Sequence, residues 1–125
     1  MSILAAFAVP HPPSILPEVG HGEEQKIEVT IEAYRLAMQR AAALHPDTIV
    51  LTSPHATLYS DYFHISPGQH AKGSFAQFRA PEAEVEADYD TDFVRALEEY
   101  CAERDIPAGT LGEREPMLDH ATMIP

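Results

Sequence analysis

Two histidines occupy matched places in this 125-residue chain. His11 follows the apolar run Ile3-Leu4-Ala5-Ala6-Phe7-Ala8-Val9 and lies in Pro10-His11-Pro12-Pro13. His55 follows Thr48-Ile49-Val50-Leu51-Thr52 and lies in Ser53-Pro54-His55-Ala56. Imidazole suits divalent iron, zinc and copper, and flanking prolines lower the cost of holding a ligand in place. One histidine after a strand is commonly a hydrogen-bonded loop residue; two in equivalent settings point to a shared ion. His120 is a third candidate. Asp119 beside it could orient an imidazole, or the pair could simply start a helix.

The remaining histidines carry blander readings. His45 suits a helix C-terminus, His64 sits inside a short strand, His70 lies in an aperiodic stretch, and His21 belongs to a Gly-flanked loop. Cys101 falls on an apolar helix stripe and reads as packing. Ser53 is two residues from His55, a spacing that does not make a nucleophile pair in an extended loop. No CxxC, glycine-rich phosphate loop or GxSxG elbow occurs.

The elements that must position these side chains follow from periodicity. Segment 3–9 is a continuous apolar run ended by proline, as in a strand buried on both faces of a parallel sheet, and 48–52 reads as a second buried strand, again followed by a proline loop. Between them, residues 23–44 repeat Ile27, Ile31, Tyr34, Met38 and Ala41 at helical spacing, and Pro46 prevents continuation. This is a βαβ unit, for which a right-handed crossover and parallel pairing of the two strands are expected. Ligands of such sheets gather at the carboxyl ends of the strands, where both histidines stand.

Further along, Tyr62–Ile65 predicts a short strand and residues 68–81 a loop or hairpin. Residues 82–89 alternate Glu82, Glu84, Glu86 and Asp88 with Ala83, Val85, Ala87 and Tyr89, a half-exposed strand. Asp90 or Thr91 caps a helix whose stripe is Phe93, Val94, Leu97, Tyr100 and Cys101. The tail runs through Gly109, Gly112 and Pro116 to the segment bearing His120.

Composition narrows the functions. A net charge of -12, with 8 basic against 20 acidic residues, argues against nucleic acid and anionic membrane surfaces as partners. A single cysteine forbids an intrachain disulfide, and with no signal peptide in view the cytoplasm is expected. The hydrophobic fraction of 45% is that of a globular chain.

Taken in order, Ala8-Val9-Pro10-His11-Pro12-Pro13, Gly20-His21-Gly22-Glu23-Glu24, Pro46-Asp47-Thr48-Ile49-Val50, Ser53-Pro54-His55-Ala56, Phe63-His64-Ile65-Ser66 and Leu118-Asp119-His120 resemble the catalytic B-subunit family of class III extradiol ring-cleavage dioxygenases. This family is typified by the β-subunit of protocatechuate 4,5-dioxygenase, and the AmmeMemoRadiSam and Memo-related members are the nearest in pattern. The resemblance implies an α/β fold, with a central, mostly parallel sheet flanked by helices in three layers, as in phosphorylase/hydrolase-like folds. It implies Fe(II) held by His11, His55 and a carboxylate, with His120 an active-site residue lining the substrate pocket. The substrates would be a catecholic aromatic and O2.

Family members are about twice as long, and their carboxylate ligand and acid-base histidine lie in the other half. Residues 1–125 are therefore expected to be the N-terminal part of one domain, self-associating or completed by the rest, and inactive alone. Glu18 is the one acidic residue near His11 that could substitute. No residue is assigned to substrate binding. Two other functions fit the same residues. One is a Memo-like metal- or protein-binding module without turnover; the other is a zinc hydrolase built on His11 and His55.

Overall fold

Proline sets the first turns of the chain. Pro13–Ile15 form a 3-10 turn and Pro17–Gly20 a single helical turn, α1, each beginning on proline, where the missing N–H would have had no helical partner. The computed structural model describes residues 2–114 and 117–125, so Pro116 of the tail lies outside the described residues.

A 3-10 run over Glu23–Ile27 leads into helix α2, Glu28–Ala43, together matching the helix expected over residues 23–44. Tyr34 is buried and Ile27, Ile31, Met38 and Ala41 are half-buried, so the predicted stripe is the covered face. Past Leu44 the chain turns through His45 at φ 47°, a left-handed residue just before Pro46. His45 therefore serves as the turn residue beyond the helix end, the place glycine or asparagine usually takes.

Strand β1 is Phe63–His64. The aperiodic stretch after it resolves into a hairpin, with β2 at His70–Phe75 and β3 at Ala80–Asp88 antiparallel to it. A 3-10 turn at Ala76–Phe78 and left-handed Arg79 join them, with a register shift between Ser74 and Phe75. On β3, Ala83 and Val85 are half-buried while Glu82, Glu84 and Glu86 are exposed, as the alternation predicts.

Helix α3, Thr91–Ala102, is capped by Asp90, whose carboxylate accepts from the Phe93 N–H at 2.9 Å. The Thr48 hydroxyl donates to the same carboxylate, and these bonds hold its pKa below the usual range. Strand β4, Ala108–Gly109, pairs in parallel with β1. The last element is α4, His120–Met123.

The core lies under the hairpin. Phe75 and Ala80, 2% and 0% exposed, pack with Met123 of α4, and Leu16, Val19, Phe78, Val85 and Leu118 close around them. Here β2 lets α4 come close because residue 73 is glycine. A Cβ there would lie 2.3 Å from the Leu118 carbonyl oxygen and 2.6 Å from Met123 Sδ.

The fold class is α/β, with helices, one parallel pair and one antiparallel pair. The parallel pair is β1 with β4, not segments 3–9 with 48–52. Those two segments carry no ladder hydrogen bonds in the structure, and Ile3 and Ile49 are 90% and 70% exposed. The physical reason is coverage. Apolar strands of a parallel sheet are stable when both faces are covered, and among the described residues no element covers these. Both segments instead line a cleft of about 340 Å³, together with His11, Pro54 and Ala121. No helix among the described residues is long and apolar enough to cross a membrane.

Candidate metal centre

Two loops and the start of a helix deliver three imidazoles to one place. His11 hangs between prolines, and the turn after it is fixed by the Ile15 N–H donating to the Pro12 carbonyl at 3.0 Å. His55 follows Ser53-Pro54, and its backbone N–H donates to Ser53 Oγ at 3.1 Å, a local turn of the kind serine supports. His120 is the first residue of α4, whose cap is Asp119: Oδ1 accepts from the N–H groups of Ala121 and Thr122 at 2.8 and 3.3 Å.

His11 Nε2 and His55 Nε2 are 2.9 Å apart, well within the approach of about 5 Å that a shared ion requires. Ring centroids are 4.9 Å apart for His11 and His55, 5.6 Å for His11 and His120, and 4.2 Å for His55 and His120. One ring nitrogen from each lies within 4.8 Å of the others, a grouping that could hold a metal ion. His11 and His120 are half-buried and His55 is exposed, so the cluster opens to solvent on one side. Phe78 packs its ring edge-on against His120, centroids 5.2 Å apart.

The site is uncharged in its neutral state. Burial is the first cause that lowers the His120 pKa below the ordinary 6.5, and the neighbouring His55 acts in the same direction; Asp119 opposes them. Asp119 does not orient the imidazole, as it could have done; its carboxylate is committed to the cap and to Ser53, whose hydroxyl donates to Oδ1 at 2.8 Å. No carboxylate joins the three imidazoles among the described residues. Glu18 is exposed on α1 and stands outside the group.

The other histidines are elsewhere. His21 and His45 are exposed loop residues, and His70 faces Asp88 and Glu86 across the hairpin. His64 stacks edge-on with Tyr59, and neither ring nitrogen has a hydrogen-bond partner among the described residues. Cys101 is buried on α3. Sequence reasoning passed over Ser53 and Phe78. Serine two residues before a histidine is a recognisable turn signal, but no local signal places Phe78 against a ring 42 residues away.

Residues 5–125 match the family described as the catalytic LigB subunit of aromatic ring-opening dioxygenase. The chain belongs to this family. Protein CA_C1420 of Clostridium acetobutylicum is 32% identical to it over 132 aligned positions, which cover 100% of this chain and 28% of that protein. The chain thus spans little more than a quarter of the length of the curated relative it matches. No solved structure matches it.

Proposed function

We propose that this chain contributes the histidine side of a non-haem Fe(II) centre for extradiol cleavage of catecholic rings by O2. His11 and His55 act as metal ligands, and His120 lines the substrate pocket. The observation that carries the reading is the 2.9 Å separation of the two Nε2 atoms. Two ligands ~2.1 Å from one ion and at right angles to each other lie about 3.0 Å apart. The donor set fits as well: neutral imidazoles suit a borderline divalent cation, and burial favours the neutral form of His120.

Fe(II), when bound, supplies the redox path between a chelated catecholate and O2. Of this chain's residues, His11 and His55 would hold the ion, beside the cleft that His11 lines. His120, whose neutral form burial favours, lines the pocket and accepts a hydrogen bond from a substrate hydroxyl at its ring nitrogen. Phe78 packs edge-on against that ring and forms an apolar side of its surroundings. A facial triad requires one carboxylate in addition to two histidines, and the reading assigns it to residues outside 1–125.

The test is anaerobic Fe(II) loading, followed by a catechol such as protocatechuate and O2. The chain by itself should bind the metal weakly, lose that binding in His11→Ala and His55→Ala, and produce no yellow ring-opened product. Sustained turnover by residues 1–125 alone would contradict the assignment of the carboxylate elsewhere. A second reading has its own support. Three imidazoles without a carboxylate are the donor set of a three-histidine catalytic zinc site, suited to hydrolysis. The metal content of protein isolated without added metal, iron against zinc, separates the two.

A further inference from the structure

The histidines reach the cluster from segments far apart in sequence, and a hydrogen-bonded link joins two of those segments. Asp119 Oδ1, which already caps α4, accepts a further bond from Ser53 Oγ at 2.8 Å, across 66 residues of chain. The same Oγ accepts from the backbone N–H of His55 at 3.1 Å. A hydroxyl has one proton to give and two lone pairs to accept with, so Ser53 uses its donor toward one segment and an acceptor toward the other. The Ser53–Asp119 bond is part-buried, which limits competition from water. The cap of α4 is complete without it, since Ala121 and Thr122 already satisfy their N–H groups on Oδ1. What the serine adds is the relative placement of His55 and His120.

We propose that Ser53 is a positioning residue for the histidine cluster, its hydroxyl clasping the loop that carries His55 to the Asp119 cap that begins the helix of His120. This rests on the reading of the cluster as a metal centre. Without the clasp, Pro54 still stiffens the loop, but nothing else on the serine side chain fixes its angle to α4. His55 is exposed and its ring lies against those of His11 and His120, so the link acts on the loop that presents the ring. Groups outside the coordination sphere that fix ligand orientation commonly change metal affinity by about 10–100-fold.

The experiment titrates the full chain with Co(II) alone, following its visible absorption bands, whose position and intensity report ligand geometry. Far-UV circular dichroism establishes that each variant is folded. Ser53→Ala should weaken Co(II) binding about tenfold and alter the bands. Ser53→Thr keeps the hydroxyl and should restore both. From the other side of the clasp, Asp119→Asn keeps a capping oxygen and should bind like the parent, whereas Asp119→Ala should lose affinity. The double variant S53A/D119A should then be no weaker than D119A. That set also decides the matter if Ser53→Ala fails to fold.

Wild-type affinity and spectrum in Ser53→Ala, with binding still lost in His55→Ala, would overturn the clasp and leave the metal reading standing. Ser53→Thr behaving like Ser53→Ala, or losses in S53A and D119A that simply add, would overturn it likewise. Co(II) binding that is absent from the parent, or unaffected by His11→Ala and His55→Ala, would overturn both.

Discussion

At the scale of single residues, His120 combines four influences whose balance can be measured. Burial first, then the nearby His55 and His11, lower its pKa; the Asp119 carboxylate raises it, and the lowering prevails. The ring therefore stays neutral to a lower pH in the folded chain than in the unfolded one. On acidification the unfolded chain takes up this proton first, so the folded state loses stability from this group as pH falls through 6.5 toward the folded value. Above 6.5 the group contributes no pH dependence. An NMR titration of the metal-free chain should give His120 a midpoint below 6.5. His55→Asn should bring it part of the way back, because burial remains the larger cause. A midpoint at or above 6.5 would mean that Asp119 dominates the ring and that its neutral role in the pocket is wrong. Of the site's residues, His11 and His55 could be read from sequence because proline loops after apolar runs are local patterns. The Ser53 link could not. A side-chain bond spanning 66 residues leaves no periodic trace, and Ser53 reads locally as nothing more than a turn former.

At the scale of elements, the hairpin and α4 act as one support. Gly73 of β2 accommodates the Leu118 carbonyl and Met123 Sδ where a Cβ would overlap both, and the Leu118 N–H donates to the Lys72 carbonyl at 3.1 Å. Gly73→Ala must therefore push α4 away from the sheet. It should cost about 1–3 kcal/mol, as overpacking does, seen as a lower urea midpoint, and it should displace His120 enough to weaken metal binding. Unchanged stability and binding would show that the 118–123 segment is not held by this contact. The elements that were legible in sequence are those with internal periodicity: α2 and α3 through their stripes, β3 through alternation, and the α3 start through Asp90. Segments 3–9 and 48–52 fit the strand pattern because short apolar or β-branched runs between turns have that signature. Such a run says that a segment wants to be covered, not which neighbour covers it. The parallel pair formed instead at β1 and β4, whose two residues each are too short to show any period. The β2 segment was obscure for a related reason. Its sequence His70-Ala71-Lys72-Gly73-Ser74-Phe75 contains a glycine chosen for close approach to α4 rather than for strand formation.

At the scale of the whole molecule, the two uncovered apolar segments dominate behaviour in solution. Ile3, Leu4, Phe7, Ile49, Val50 and Leu51 are all exposed, and contiguous apolar surface of this kind is normally covered by a partner. Residues 1–125 alone should therefore self-associate at tens of micromolar in sedimentation velocity, and Ile3→Lys with Ile49→Lys should reduce it. A clean monomer for the parent would remove the argument. The charge of -12 opposes association at low salt, so added salt should strengthen it. The histidine cluster has a different consequence for the chain as a polymer. His11 and His55 are 44 residues apart, and His55 and His120 are 65 apart, so an ion seated among the three rings would tie off two large loops at a single knot. The entropy that such a knot removes from the unfolded chain grows only with the logarithm of loop length. Ion binding would thus brace the uncovered segments leading into His11 and His55, much as a disulfide braces a small secreted domain.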